Sequence, residues 1–463
     1  MSSIKKILYT TIVSLFIGIQ PLATKFVYAA AEADWTVLVY MNAKNNLEQF
    51  GINNFHQMAA EGSSEKVNVL VEMGRPKNHY YTGDENWSGV MRFRVLKGMK
   101  PLPSSALQDL GNADMGSSST LRKFLDWSVE KYPAKRYLLI IWNHGQGWRQ
   151  MYVKDRQLKS RLLNREATAQ DLQELDQLSS SAPYAGMYRS VSYDEDSKNT
   201  LYNREIQEVL ETFAKNGPRM DVVAYDACLM GMLETAYSLR NSADIMVGSQ
   251  ELVPGEGSPY DKWLPRLIAT PSMDSRSLGK LLVDTYKERY SNTYMTTFSA
   301  LDLSKIEQAS KDLTQFSTAL RERLSTEKST VALARSKILG YADWERPPLG
   351  FSIDLILFLD SFRDTTKDEH LKNLAKTARD ALQSSVVNNY ASDRIQDRYG
   401  SNGIAIYFPK TLAEFHRDPN SGGYLPKNSL HPVEFVQKEQ WAPFLLEYLG
   451  VDVNTIPKRT KNK

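Results

Sequence analysis

The sequence predicts an α/β fold, a mostly parallel sheet flanked by helices on both faces, followed by a C-terminal α+β extension. Three observations carry this prediction. Strand-like apolar runs alternate with helical patterns from residue 35 onward, beginning with "WTVLVYM" (35–41) and "KVNVLVEM" (66–73) around a segment of helical character. "YLLIIW" (137–142) is apolar throughout, as a strand covered on both faces must be. "DVVAY" (221–225) and "DIMVGS" (244–249) then flank a helix-like "LMGMLETAYSLR", and repeated strand–helix units bury a sheet between two helical layers.

The remaining elements follow in order. "VMRFRV" (90–95) reads as a strand, and "STLRKFLDWSVEKY" (119–132) sets Leu121, Phe124, Leu125 and Val129 along one helical face. "REIQEVLETFAK" (204–215) does the same with Ile206, Val209, Leu210 and Phe213. Between the two, residues 149–191 interrupt the rhythm. Their first part is basic (Arg149, Lys154, Arg156, Lys159, Arg161, Arg165), and "SSSAPYAG" (179–186) is small and turn-rich. Many charges without a buried strand describe a long surface insertion. After about residue 300 the pattern changes to a helical stretch (300–324), a strongly apolar "PPLGFSIDLILFLDSF" (347–362) and a short strand, "SNGIAIYFP" (401–409), ended by proline. The expected organisation is an N-terminal signal (1–31), a main domain (32–300) and a C-terminal region (301–463) packed on it.

Composition excludes some functions. A net charge of +3 over 463 residues is close to balanced, which speaks against a nucleic-acid or membrane-surface binder. The N-terminus points to export. Lys5 and Lys6 precede the apolar run "ILYTTIVSLFIGI" (7–19), and small residues cluster at "YAAAEA" with Ala29 and Ala31 in an A-x-A pattern. That run is shorter than the roughly 20 residues a membrane span needs. The expected mature chain starts near Ala30–Glu32, is periplasmic or secreted, and keeps no stable membrane anchor. Its single cysteine, Cys228, is then notable, because exported proteins use cysteines in disulfide pairs. An unpaired one is either buried and inert or kept for its reactivity.

Chemistry-bearing side chains stand where two strands end. "YLLIIW" runs into "NHGQGW", which places His144, and "DVVAY" runs into "DACLMG", which places Cys228. Sheets of this kind bind ligands beyond the C-terminal ends of their strands. An imidazole can take a thiol proton and return it to a leaving amine, while the thiolate attacks a carbonyl. Gly145 and Gly231 allow close backbone approach, so the amides of Gly145 and Cys228 could hold an oxyanion. The bland alternatives are a core cysteine and a loop histidine that makes an ordinary hydrogen bond.

Five segments carry a resemblance: "DWTVLVYMNAKNNLE", "YLLIIWNHGQGW", "VVAYDACLMGMLETAYSL", "GSQELVPGEGSPY" and "GIAIYFP". Together, from about Asp34 to Pro409, they resemble the clostripain family of cysteine peptidases in the caspase-like clan. The resemblance implies a caspase-like sheet, a Cys228–His144 dyad without a third member, and protein or peptide substrates cut after Arg or Lys. Recognising such a side chain requires an acid in the receiving pocket. Asp226 matches a position the family uses so; Glu256 is the second candidate and Asp261 the third.

Relatives also mature by cutting themselves between the two motifs, which marks Lys159 and Arg161 as expected self-cleavage sites and the insertion as a cover. The product is expected to be a monomer, or two chains after processing. The sequence itself requires no cofactor; the family's namesake depends on calcium, so the resemblance admits calcium as one. "DEDSKNT" (194–200) nonetheless lacks the glycine and terminal glutamate of an EF-hand loop. Relatives usually carry an acid where this chain has Lys44, a departure that bears on a structural contact or an ion site. Two readings from other classes compete: a non-catalytic binding protein that kept the fold, and an amidase acting on small substrates.

Overall fold

The computed structural model describes residues 32–83, 86–149, 191–291, 294–342, 351–398, 400–418, 420–426 and 433–451. The signal segment and nearly all of the insertion, with Lys159 and Arg161, lie outside them.

Thirteen strands are present among the described residues. They are β1 (Ala33–Asn42), β2 (Val67–Arg75), β3 (Gly89–Arg94), β4 (Gln108–Asp109), β5 (Ala134–Trp142), β6 (Val191–Asp194) and β7 (Asn199–Leu201). The rest are β8 (Met220–Asp226), β9 (Ala243–Gly248), β10 (Thr297–Asp302), β11 (Ser352–Asp354), β12 (Val386–Ala391) and β13 (Ala405–Tyr407). Nine form one sheet in the order β12-β10-β9-β8-β5-β1-β2-β3-β4. The centre, β2, β1, β5, β8 and β9, is parallel, and both flanks are antiparallel.

The apolar runs of the central strands are explained by cover on both faces. Alternate residues point to opposite sides of a strand. Val37, Val39, Val69, Leu138, Ile140, Val222 and Val247 pack on Ile52 and Phe55 of helix Glu48–Glu61, on Trp263 and on Leu282. Their neighbours Leu38, Leu70, Leu139, Ile141, Val223 and Met246 pack on Leu121, Phe124, Ile206 and Phe213 from the predicted helical stripes. Those helices run Ser118–Lys131 and Asn203–Asn216. Sequence periodicity and burial agree at these positions.

The expected division near residue 300 does not match the architecture. It falls inside β10, and residues 386–391 supply the edge strand β12 of the same sheet. The later residues therefore complete the sheet as well as packing on it. β11 and β13 pair separately, and β13 is tied to the cysteine loop by Ala405 N donating to Gly231 O (2.9 Å). Beneath them the ring of Phe408 meets Phe358 and Trp441 edge-on at 5.0 and 5.3 Å between centroids. Glu234, in the helix after the cysteine loop, is buried and accepts from Tyr407 N (3.0 Å) and Tyr424 Oη (2.9 Å). The first sheet and the C-terminal half thus share one core.

Candidate active site

Strand register brings the two motifs together. Trp142 and Asp226 stand opposite each other in the parallel β5–β8 pair. His144 and Cys228 each lie two residues beyond that pair, on neighbouring loops at the same edge of the sheet. Gly145 closes the gap. A Cβ built on it would fall 2.3 Å from Cys228 O and 3.1 Å from Cys228 N, so the two loop backbones touch. Only glycine fits there, so the histidine loop can lie directly against the backbone of the cysteine loop.

Buried asparagines set the histidine. Asn143 Nδ2 donates to Asn42 O (2.5 Å), and its Oδ1 accepts from His144 N (2.6 Å) and Tyr193 N (3.2 Å). One side chain therefore joins the ends of β1, β5 and β6. The His144 ring is oriented by Asn46, whose Oδ1 lies 2.8 Å from Nε2. With that oxygen accepting, Nε2 carries the proton and Nδ1 is the basic nitrogen.

The cysteine sits on a sharp turn. Leu229, immediately after it, has φ of 59°, a left-handed conformation that a side chain other than glycine's adopts only when held. Its N–H donates to Glu251 O (3.1 Å) and that of Gly231 to Ser249 O (2.7 Å), which hold it. Cys228 Sγ is half-buried, accepts from Val253 N (3.3 Å) and lies 3.8 Å from Val253 O. The thiol opens into a cavity of about 450 Å³ whose lining includes His144, Asn46, Trp142, Asp226 and Tyr294. A cysteine packed away under a helix would not line a cavity with a histidine.

Asp226 closes one side of this cavity and is buried. Both its oxygens accept from Ser258 N (3.0 Å each), and Oδ2 accepts from Tyr260 Oη (3.0 Å). Gly257, with φ of 66°, lets the backbone come this close, since a Cβ there would sit 2.7 Å from Asp226 Oδ1. Burial pushes the carboxyl up to about 6, against the pull of the Ser258 N–H and Tyr260 hydroxyl. No Lys, Arg or His pairs with it among the described residues.

The other two acids are placed elsewhere. Glu256 is exposed and outside the cavity lining; it contributes only its backbone oxygen, which accepts from Asn54 Nδ2 (2.9 Å). Asp261 is paired with Arg289 (2.6 Å) on the surface of helix Tyr260–Ala269 and does not line the cavity either. The "PGEGSPY" loop turns at Gly257 and presents backbone and Tyr260, rather than these two acids, to Asp226. Asn46, Asn143, Ser258 and Tyr260 were not singled out from sequence. Two of them had a signal: polar residues close the apolar runs of β1, β5 and β8 as Asn42, Asn143 and Asp226, and Asn46 follows the first of these.

Comparison with known proteins identifies the family. The model of the clostripain family matches residues 39–181 and 180–447. Clostripain of Hathewaya histolytica is 25% identical over 426 residues, covering 81% of this chain and 74% of that protein. The fold is shared with an inactive zymogen C11 protease from Parabacteroides distasonis (TM-score 0.54, 16% identity, 82% of this chain and 92% of the other). It is also shared with a secreted C11 cysteine protease from Bacteroides thetaiotaomicron in complex with an irreversible peptide inhibitor (TM-score 0.52, 18% identity, 81% and 93%). The chain belongs to the clostripain family and is a cysteine endopeptidase.

Proposed function

We propose that this endopeptidase is exported and cuts peptide bonds after Arg or Lys, with Cys228 as nucleophile and His144 as acid and base. One observation carries the specificity. A buried carboxylate, Asp226, lines the same cavity as the thiol and the imidazole and has no cationic partner among the described residues. A guanidinium or ammonium entering the cavity supplies that partner, and hydrogen bonds to a charged group contribute about 1.5–3 kcal/mol each.

His144 Nδ1 takes the proton of Cys228 Sγ, and the thiolate attacks the carbonyl carbon of the scissile bond. The amides of Gly145 and Cys228 hold the resulting oxyanion. His144 then returns the proton to the leaving amine, and water, deprotonated by the same ring, hydrolyses the thioester. Asn46 keeps the ring turned the right way throughout.

Export is supported by the basic and apolar N-terminus ahead of "YAAAEA" and by the secreted relative. No helix among the described residues is long and apolar enough to cross a membrane. Self-cleavage at Lys159 or Arg161, with the basic insertion as a cover, is supported by the position of those residues between the two motifs and by the zymogen relative. Peptides ending in Arg, Lys, Asp or Ala before a reporter, offered to wild type and to Cys228→Ala, test the whole reading. Cleavage after Arg or Lys by wild type alone, with wild type alone separating into two fragments on a denaturing gel, is the expected result. Cleavage of simple amides without regard to the basic side chain would favour an amidase, and no cleavage at all a binding protein.

A further inference from the structure

The calcium expectation meets a lysine. Lys44 follows β1 and is 1% exposed, with Nζ 3.1 Å from Asp194 Oδ2, 3.4 Å from Asp196 Oδ2 and 3.2 Å from Ala113 O. These are the hard oxygen ligands that a calcium ion takes. Asp196 Oδ2 is buried and has no hydrogen-bond partner, so the ammonium is what answers its charge. Asp194 is held just as firmly: Oδ1 accepts from Asp196 N (2.9 Å) and Ser197 N (3.1 Å), Oδ2 from Met115 N (3.0 Å). A divalent ion placed among these oxygens would lie against a buried positive charge, and calcium requires six to eight oxygens at about 2.3–2.6 Å. The cluster does not fit calcium while Lys44 is there. Among the described residues no group of three or more His, Cys, Asp and Glu side chains is placed to hold a metal ion.

We propose that Lys44 is a built-in cation, and that it makes both the fold and the activity of this chain independent of calcium. It also acts as a positioning residue. Its ammonium joins the loop after β1 to the segment 113–116 and to the β6–β7 hairpin. The backbone repeats the tie, with Glu195 N donating to Lys44 O (2.9 Å) and Asn45 Nδ2 to Tyr193 O (2.9 Å). Asn46, two residues on, holds His144 Nε2. The hairpin in turn contributes Tyr193 N to Asn143, the residue before the histidine. Without the cation, the buried Asp194 and the largely covered Asp196 repel each other within the hairpin, and the loop that orients the imidazole loses its anchor.

The inference uses the peptidase reading for its activity readout alone, because thermal unfolding is read without a substrate. The full chain and its Lys44→Met and Lys44→Asp variants are unfolded in calcium and in chelator, and assayed on the Arg peptide in both. Wild type is expected to keep the same Tm and the same kcat/KM in either condition. Lys44→Met is expected to lose roughly 5 °C in Tm, with a roughly tenfold fall in kcat at nearly constant KM, and calcium restores neither. Lys44→Asp is expected to be less stable still in chelator and to regain Tm and kcat on adding calcium, since it replaces the ammonium by a third carboxylate, with water filling the remaining positions. A wild-type Tm that drops on chelation overturns the proposal without any variant. So does a Lys44→Met chain with wild-type Tm and kcat, or a Lys44→Asp chain indifferent to calcium. If no protein cleaves any peptide, the peptidase reading fails while the unfolding curves still decide the role of Lys44.

Discussion

Two buried acidic sites stand at the C-terminal edge of the same sheet and are treated in opposite ways. Asp194 and Asp196 meet an internal ammonium, Lys44; Lys44 and Asp194 are closed off from solvent, and Asp196 is largely covered. Asp226 is equally buried but faces a cavity, and only a backbone N–H and a tyrosine hydroxyl contact it. Burying a carboxylate without a cation disfavours its charge, which is why the Asp226 carboxyl is pushed up to about 6. The first arrangement stabilises a joint between loops. The second leaves charge that a ligand can match, which is the ground for the proposed preference for a basic side chain.

The largest effect should come from making the second site neutral. Asp226→Asn keeps the shape and is expected to lower kcat/KM on Arg and Lys peptides by at least about a hundredfold, with the Tm unchanged or slightly raised. Equal losses on Ala-ending peptides would show instead that Asp226 holds the cysteine turn, and would erase the contrast with Asp194. The removal of Lys44, described above, comes next and acts on kcat and Tm rather than on side-chain preference.

A pH series sharpens the comparison further. The Asp226 carboxyl goes from 3.8 to about 6 on folding, so the native state binds its proton more readily. As pH falls through about 6, the site loses the charge that pairs with the substrate, and kcat/KM on Arg peptides should fall about tenfold per pH unit. The same group favours folding more as pH drops from about 6 towards 3.8, because protonation relieves the buried charge. Activity and this stability contribution therefore move in opposite directions; Asp226→Asn should lose the stability trend and the part of the activity trend that separates Arg peptides from Ala peptides. The smallest effect is expected from Asp261→Asn. Its partner Arg289 is about one-third exposed, as it is itself. Such a pair contributes at most about 1 kcal/mol, and urea unfolding with peptide assays should show little change in stability and none in preference.

Much of this site was legible because it depends on strand ends. Apolar runs that stop at a polar residue marked the exits of β5 and β8, and His144 and Cys228 follow at once. Their meeting was not legible, since it depends on the β5–β8 register and on the packing of Gly145 against Cys228. Asn46 and Tyr260 escaped notice because they reach His144 and Asp226 across long stretches of chain. The boundary near residue 300 misled for a different reason. β12, "VVNNYA", is a half-buried antiparallel edge strand with neither a continuous apolar run nor clean alternation. Nothing local in it announces that it completes a sheet begun at residue 33. Lys44 was visible as an odd residue in "MNAKNNLE", but its carboxylate partners lie on a hairpin beyond the insertion.

On the proposed specificity, the Cys228 thiol and the Asp226 carboxylate serve one cavity that receives a basic side chain. Mass spectrometry after treatment with peptide electrophiles ending in Arg, Lys, Asp or Ala tests it most directly. One equivalent of the Arg or Lys reagent is expected to attach at Cys228 in wild type, far faster than the Asp or Ala reagents, and Asp226→Asn is expected to lose this preference while still reacting. Equal labelling by all four reagents, or no labelling of Cys228 by any of them, would contradict it.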